Sequence, residues 1–223
     1  MMGEAGFRPS SIIVMIASHG EIGGNGKRVG RFLPNAIRTR YTNMAQEVRR
    51  MYWPRRIQKE HPALYEAIVN GLSSLIKEPR QRLDAITGKF NWNHYSDSVN
   101  RITVKDYKDE GGLQALQQST VNNVLFTGGG IIPKSLIESA NRFIHIHPGK
   151  LPHVRGADGI LWSTLVRGRP GATCFYMSDG IDTGNIIETH DLPATTFQIS
   201  EDDRPNDQTL YRAIFSFYDP LLR

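Results

Sequence analysis

Residues 123–130 read Asn-Val-Leu-Phe-Thr-Gly-Gly-Gly, which predicts a short buried strand that closes on three glycines. A second apolar run at residues 12–17 is rich in β-branched residues and is typical of a strand in a parallel sheet. Further strands are expected at residues 142–146, 171–177 and 186–189, with helical segments between them. Because strands alternate with helices, the sequence predicts an α/β fold built on a doubly wound, mostly parallel sheet.

The composition is that of a globular protein, with 39% hydrophobic and 22% charged residues in a chain of 223. The single cysteine, Cys174, excludes an intramolecular disulfide and fits a reducing compartment. We expect it to pack as a small apolar side chain in a strand. No apolar run approaches the roughly 20 residues that span a bilayer. The sequence therefore predicts a cytoplasmic protein without a membrane partner.

The chain is basic, with a formal net charge of +5, and many of its arginines lie between residues 28 and 59. Such a surface attracts nucleic acid, but it equally attracts phosphorylated small molecules or a polyglutamylated cofactor. Dispersed arginines on helices are usually solvated, so we do not expect a direct nucleic-acid partner. The glycines between residues 20 and 30 do not form a phosphate-binding loop, because Arg28 follows Gly26-Lys27 where Ser or Thr is required.

Polar groups gather where the predicted strands end, which is where ligands bind in open α/β sheets. His145 and His147 are two residues apart, so their side chains leave the same face of a strand, and Pro148 ends that strand. Asp182 lies between glycines in a predicted tight loop, 180–184.

The two histidines and Asp182 allow three interpretations. An imidazole and a carboxylate in one cleft can perform general acid–base catalysis. A His-x-His pair with a distant aspartate is also a common arrangement for a divalent metal. A hydrogen-bonded histidine near a strand end can finally be purely structural. The spacing alone leaves all three open.

Five short motifs follow one another between residues 128 and 184. They are Gly-Gly-Gly-Ile-Ile-Pro at 128–133, His-Pro-Gly-Lys-Leu-Pro at 147–152, Arg-Gly at 155–156, Gly-Ala-Thr at 171–173 and Asp-Thr-Gly at 182–184. In this series the chain resembles the folate-dependent formyltransferase family, over residues 123–193. The resemblance implies a Rossmann-like catalytic domain, which we place at residues 1–200, followed by a C-terminal helical appendage at residues 201–223. It also implies 10-formyltetrahydrofolate as the donor of the formyl group.

Carried over position by position, the resemblance implies that His147 and Asp182 are catalytic. The family has an asparagine two residues before the histidine, and this chain has His145 there. In the family, the asparagine and the histidine donate to the oxyanion that forms when an amine attacks the formyl carbon. We therefore include His145 among the catalytic residues, as a substitute donor whose hydrogens depend on its protonation.

Two further sets of residues follow from the resemblance. Backbone around the glycine motif and a closing loop are expected to line the pterin pocket. The predicted donor-binding residues are Phe126, Gly128, Gly129, Gly130, Ile131, Ile132, Leu151, Ser178, Asp179, Gly180 and Ile181. Arg155 and Gly156 are predicted to bind the acceptor, whereas Trp162 is expected in the core.

The predicted function is formyl transfer to a primary amine, with a nucleotide-linked amino sugar as the small-molecule partner. The motif His-Pro-Gly-x-Leu-Pro-x-x-Arg-Gly-Ala-Asp-Gly at residues 147–159, with Trp162 following, most resembles the sugar-modifying or natural-product branch of the family. A methionyl-transfer-RNA enzyme would normally carry a longer, separate carboxyl-terminal domain. Two alternatives remain: a metal-dependent hydrolase that uses His145, His147 and Asp182, and a folate-binding protein with reduced catalysis. The apolar helix around Phe217 is expected to offer a homodimer interface.

Overall fold

The computed structural model describes residues 6, 8–17, 33, 34, 36–38, 40, 41, 51–88, 91–119, 121–140 and 142–222. The glycine-rich segment at residues 20–30 lies outside this set. The strands are β1 (Ile12–Ala17), β2 (Val99–Val104), β3 (Asn123–Phe126), β4 (Arg142–His147), β5 (Gly171–Tyr176) and β6 (Ile186–Asp191). The helices are α1 (Tyr52–Glu60), α2 (Pro62–Leu72), α3 (Pro79–Thr87), α4 (Glu110–Gln118), α5 (Lys134–Ile137), α6 (Gly159–Arg167), α7 (Asp207–Ala213) and α8 (Asp219–Leu222).

These strands form two sheets, and the predicted α/β class is confirmed. β1 and β2 pair in parallel, from Ile12 opposite Val99 to Ala17 opposite Val104. The second sheet has the order β3-β4-β5-β6. Its β4–β5 and β5–β6 pairs are antiparallel, whereas the sequence predicted a mostly parallel sheet. For β5 and β6 the reason is the short connection at residues 177–185, since a parallel crossover needs about a dozen residues or more.

Residues 123–126 form a strand, β3, as predicted, but this strand is not buried. Residues along β3 alternate between exposed and half-buried, and Leu125 is 37% exposed. Among the strands of the described residues, β3 lies at the edge of its sheet and has one neighbouring strand, β4. β4 alternates more sharply, with Phe143, His145 and His147 buried on one face.

The chain divides into two compact units. The first comprises residues 1–50, 89–124 and 130–142, and the second comprises residues 51–88, 125–129 and 143–223. β3 therefore changes unit after Val124, and β4 changes unit after Arg142. The predicted division at residue 200 stays a prediction.

The core of the second unit is built largely from helical residues. Ile57, Leu72, Leu83 and Phe217 are all within 1% of complete burial. Phe217 packs edge-on against the Tyr65 ring, with centroids 5.6 Å apart. The Phe217 side chain is thus buried within its own chain and is not available for the predicted dimer contact. No helix in the described ranges is long and apolar enough to cross a membrane.

Prolines mark where several of these helices begin. Pro62 and Pro79 each occupy the first position of a helix, where the missing N–H costs no hydrogen bond. Pro54 lies in the first turn of α1, where it does not interrupt the helix. Pro220 likewise lies within α8, which follows a π-helical turn at Ile214–Tyr218.

One carboxylate joins three segments near the candidate site. Arg167 at the end of α6 donates to Asp191 over 2.6 and 3.2 Å, and Lys150 Nζ lies 2.9 Å from the same carboxylate. The Arg167 and Lys150 side chains hold the pKa of Asp191 well below its usual range. The ionised Asp191 side chain therefore stabilises the folded chain fully at pH values above the ordinary carboxyl pKa of about 3.9. This stabilisation is lost as the pH falls from there through the lowered pKa of the folded state.

We expect Asp191→Asn to lower the melting temperature at neutral pH. The difference from the unmodified chain should shrink below about pH 4, because the Asp191 carboxyl of the unfolded chain then takes up a proton while the folded chain still holds it ionised. Thermal unfolding followed by circular dichroism at both pH values measures the effect. Asp97→Asn is the control, since its side chain is 93% exposed beside Arg8. An equal difference at both pH values would contradict the prediction.

Candidate active site

His147 is the last residue of β4, and its side chain is 3% exposed. Its Nδ1 lies 3.4 Å from Oδ2 of Asp182, and its Nε2 lies 3.1 Å from the carbonyl oxygen of Val154. Both ring nitrogens thus face oxygen acceptors. A neutral imidazole has only one N–H, so this arrangement suits the doubly protonated imidazolium.

Two glycines make room for the His147 ring. A Cβ on Gly149 would lie 2.5 Å from His147 Nε2, and a Cβ on Gly159 would lie 2.9 Å from Cε1. A Cβ on Gly159 would also approach the Pro148 carbonyl oxygen to 2.8 Å. Sequence reasoning missed both glycines as site residues. The signal was present, since they directly follow His147-Pro148 and Asp158.

Asp182 lies in a tight loop, as predicted from its glycines. Its φ is 47°, in the left-handed region, and the neighbouring Gly180 and Gly184 have φ of 118° and 125°. A Cβ on Gly184 would overlap the carbonyl oxygen of Tyr176 at the end of β5. The loop can therefore close against the sheet only with glycine at position 184.

Hydrogen bonds fix this loop and its carboxylate. The Ser178 N–H donates to the Thr183 carbonyl over 2.9 Å, and the Thr183 hydroxyl donates to the Asp179 carbonyl over 2.7 Å. The Gly156 N–H donates to Asp182 Oδ2 over 2.6 Å. Gly156, which was predicted to bind the acceptor, therefore orients the aspartate that faces His147.

His145 occupies the same face of β4 as His147 and is 8% exposed. Its Nδ1 lies 2.8 Å from the carbonyl oxygen of Phe126. The ring also contacts the side chains of Phe126 and Phe175, with centroid distances of 5.6 and 5.8 Å. It is a packed residue with one ring nitrogen directed at the backbone of β3.

The predicted donor-binding residues fall into both units. Those in the unit that holds His147 are Phe126, Gly128, Gly129, Leu151, Ser178, Asp179, Gly180 and Ile181, whereas Gly130, Ile131 and Ile132 belong to the first unit. Leu151 is buried, and its N–H donates to the Thr173 hydroxyl over 3.0 Å. Ile181 in the loop is 54% exposed. Arg155 is exposed, and its predicted role stays a prediction.

Trp162 was predicted to lie in the core, and this is wrong. Its side chain is 51% exposed, and Leu165 and Val166 on the same helix are 75% and 66% exposed. α6 turns Ile160 and Ser163 inward instead, so its apolar stripe is wider than the face it buries. Cys174 is half-buried in β5 as predicted, and burial raises the pKa of its thiol.

The metal interpretation loses its structural basis. Within the ranges described above, no group of three or more His, Cys, Asp or Glu side chains could hold a metal ion. His145, His147 and Asp182 do not form such a group.

The chain is similar to known proteins over part of its length. The formyl transferase family model matches residues 86–206. A methionyl-tRNA formyltransferase from Syntrophus aciditrophicus (strain SB) is 36% identical over 106 residues, which are 44% of this chain and 34% of that protein. The chain thus spans about a third of that relative's length. The mitochondrial 10-formyltetrahydrofolate dehydrogenase of Mus musculus is 39% identical over 88 residues, which are 38% of this chain and 8% of that protein.

Solved formyltransferases are also similar. Phosphoribosylglycinamide formyltransferase from Bacillus halodurans is 18% identical, with 72% of this chain and 86% of that chain covered and a TM-score of 0.40. The formyltransferase PseJ from Anoxybacillus kamchatkensis, in complex with UDP-4,6-dideoxy-4-formamido-L-AltNAc and tetrahydrofolate, is 25% identical, with 55% and 61% covered and a TM-score of 0.34.

The resemblance to a formyltransferase family that the motifs predicted is confirmed by the family model. The matched residues 86–206 include β4, the loop that carries Asp182 and both glycines that pack on His147. Since this match covers more than half of its 223 residues, the chain belongs to the formyl transferase family.

Proposed function

We propose that this chain transfers the formyl group of 10-formyltetrahydrofolate to a primary amine, with His147 and Asp182 as its central chemical groups. The observation that carries the proposal is their pairing at the end of β4, where a nearly buried imidazole lies 3.4 Å from a carboxylate. Burial matters here because a charge interaction is stronger where water is excluded. The carboxylate therefore stabilises the imidazolium effectively.

The proposed reaction forms a bond between the acceptor nitrogen and the formyl carbon and breaks the bond from that carbon to N10 of the folate. The amine gives up one proton, and the departing folate nitrogen gains one. Asp182 supports the charged form of His147, which can supply a proton to the leaving nitrogen. The same pair then recovers a proton from the attacking amine, so the protons balance over the cycle.

Charge develops on the formyl oxygen when the amine attacks. Removing one donor from such an oxyanion site costs about 2.7–4 kcal/mol. We assign donation to this oxygen to His145 and His147, which share one face of β4, and for His147 this requires Nε2 to leave the Val154 carbonyl oxygen. This carries over the role that the family gives to asparagine and histidine, with position 145 changed.

The loop at residues 178–182, together with Gly128 and Gly129 of the same unit, is proposed to hold the pterin ring. A pterin is flat and presents several donors and acceptors on its edges, which suits exposed backbone next to residues with little side chain. The loop is closed on itself through Thr183, so it presents a preformed edge. A preformed edge binds a planar, hydrogen-bonding group better than a flexible segment would, because less conformational entropy is lost on binding.

For the acceptor we propose an amino sugar linked to a nucleotide. The motif at residues 147–159 supports it, and PseJ is similar to this chain and was solved with a formamido sugar nucleotide. The 36% identical relative is a methionyl-tRNA formyltransferase, which makes methionyl-tRNA the second candidate. Arg155 is exposed close to Gly156 and could bind a phosphate in either substrate.

The test is a transfer assay with a carbon-labelled formyl donor and three acceptors in parallel. The acceptors are a nucleotide-linked amino sugar, methionyl-tRNA and glycinamide ribonucleotide. We expect label in the amide of the sugar product. Label in methionyl-tRNA instead would show that methionyl-tRNA is the acceptor and would leave the proposed formyl transfer intact. Donor binding without label in any product would overturn the proposed transfer and support a folate-binding protein.

A further inference from the structure

We propose that a surface of alternating arginine and aromatic side chains binds the nucleoside diphosphate part of the acceptor. This arginine–aromatic surface is formed on α1 and α7 by Tyr52, Trp53, Arg56, Tyr211 and Arg212. The inference rests on the proposed acceptor, a nucleotide-linked amino sugar, and assigns the residues that recognise its nucleotide. All five residues lie outside residues 86–206, so the surface is not carried over from the family.

The five side chains follow one another in a single series of contacts. The Arg212 guanidinium lies over the rings of Tyr211 and Trp53, at 5.7 and 5.5 Å from their centroids. The Arg56 guanidinium lies over the rings of Trp53 and Tyr52, at 5.4 and 5.8 Å from their centroids. Each arginine thus contacts two aromatic rings, which hold its charge in place before a ligand binds.

One end of this series lies next to the candidate active site. The Tyr211 hydroxyl donates to Asp158 Oδ1 over 3.2 Å. Asp158 directly precedes Gly159, where a Cβ would lie 2.9 Å from Cε1 of His147. All of these residues belong to the same compact unit. In order of contact from His147 outward, the surface therefore presents Tyr211, Arg212, Trp53, Arg56 and Tyr52.

Arg212 provides a cation for the phosphates. It is exposed, and it forms no ion pair with another of the residues that the structure describes. A guanidinium carries five N–H donors in a planar fork, which matches the oxygens of a phosphate group. The charge of a diphosphate therefore complements Arg212, which is the arginine nearer to His147 in the series.

The outer end of the surface suits a nucleobase. Tyr52 is 45% exposed, and its hydroxyl accepts from Arg56 Nη1 over 2.9 Å. Arg56 Nε also donates to Glu60 over 2.7 Å, so the arginine beside the Tyr52 ring is fixed. Nucleobases stack on exposed aromatic side chains, and arginine adds to this interaction. An amine at His147, a diphosphate at Arg212 and a base at Tyr52 follow the chemical order of a nucleotide-linked amino sugar.

The small extent of the surface favours one nucleotide over an RNA strand. A strand is bound by a positively charged groove that follows its backbone over several nucleotides. Here both arginines contact the same indole ring, that of Trp53, and the charge of Arg56 is paired with Glu60. A single nucleoside diphosphate matches this extent.

The test measures the affinity of the chain for uridine diphosphate and for inorganic pyrophosphate by isothermal titration calorimetry. Arg212→Gln should bind both ligands about tenfold more weakly, because charged hydrogen bonds to the phosphates are lost. Tyr52→Ala should weaken the binding of uridine diphosphate by about tenfold but leave pyrophosphate unchanged, because pyrophosphate has no base to stack. Arg169→Gln is the matched control, since it removes an exposed arginine of the same unit and should change neither affinity.

Three results would overturn the inference. They are no binding of uridine diphosphate to the unmodified chain, equal affinity in Arg212→Gln, and a preference for a short single-stranded RNA over uridine diphosphate. The labelled transfer assay keeps this inference separate from the proposed function. There, Arg212→Gln should raise KM for the nucleotide-linked sugar about tenfold with little change in kcat. If uridine diphosphate bound as expected but no sugar were formylated, the proposed function would fail instead.

Discussion

Asp182→Asn is expected to lower turnover by about 100-fold or more while leaving donor binding largely intact. Asparagine tolerates the left-handed backbone that residue 182 adopts, at φ 47°, and its amide oxygen can still accept from the Gly156 N–H. The loop should therefore keep its shape. What is lost is the negative charge 3.4 Å from His147 Nδ1.

Steady-state turnover and calorimetric titration with tetrahydrofolate measure the two halves of this prediction. Asp203→Asn is the matched control, because it removes a carboxylate from an exposed turn in the same unit, where Asp203 accepts from the Ser200 hydroxyl over 2.7 Å. Turnover of the control should match the unmodified chain. An equally active Asp182→Asn protein would remove Asp182 from the mechanism.

Gly184→Ala is expected to abolish most activity and to destabilise the chain. Alanine disfavours the φ of 125° at this position, and its Cβ would overlap the Tyr176 carbonyl oxygen. A strained backbone of this kind costs about 1–3 kcal/mol before the overlap is relieved. Relief requires the 178–184 loop to move from the end of β5, and the loop carries Asp182 with it.

Gly168→Ala provides the matched comparison for this second prediction. Gly168 also has a positive φ, 70°, but a Cβ there meets nothing within 4 Å. It should show the cost of the backbone conformation without the collision. Thermal unfolding and turnover of both variants separate the two effects. If Gly184→Ala lost no more turnover and stability than Gly168→Ala, the close approach of residue 184 to the Tyr176 carbonyl would not matter for function.

Local sequence signals predicted the parts of the site that depend on neighbours in the chain. Pro148 placed His147 at the end of a strand, and the strand does end at His147. Glycines around Asp182 predicted a tight loop, and the two closest have positive φ. In both cases one residue type restricts the backbone so strongly that the conformation follows from the sequence.

Contacts between distant segments could not be predicted in this way. The spacing of His145 and His147 fixes their common face, but it does not name the atoms opposite them. The carbonyl of Phe126 is contributed from 19 residues away, across a strand pair. The packing of Gly149 and Gly159 on His147 depends equally on how α6 meets the end of β4.

The wrong predictions that Trp162 and β3 are buried have the same cause, because burial depends on segments that are distant in the chain. An apolar stripe tells which side of a helix can be buried, but not how much of it finds a partner, and Trp162 remains 51% exposed. An apolar strand likewise does not reveal its place in the sheet. Among the described strands β3 lies at an edge, and Leu125 on it is 37% exposed although the composition of β3 matches an interior strand.

The central claim is that His147 and Asp182 transfer a formyl group, and a single-turnover experiment tests it most directly. Labelled 10-formyltetrahydrofolate is mixed with an excess of the unmodified chain or of Asp182→Asn, together with the acceptor amine. We expect the unmodified chain to move the label into an amide while equal tetrahydrofolate is released. The variant should bind the donor about as tightly as the unmodified chain, but its transfer rate should be lower by about 100-fold or more. Intact donor in the unmodified reaction, or equal rates in both, would contradict the account.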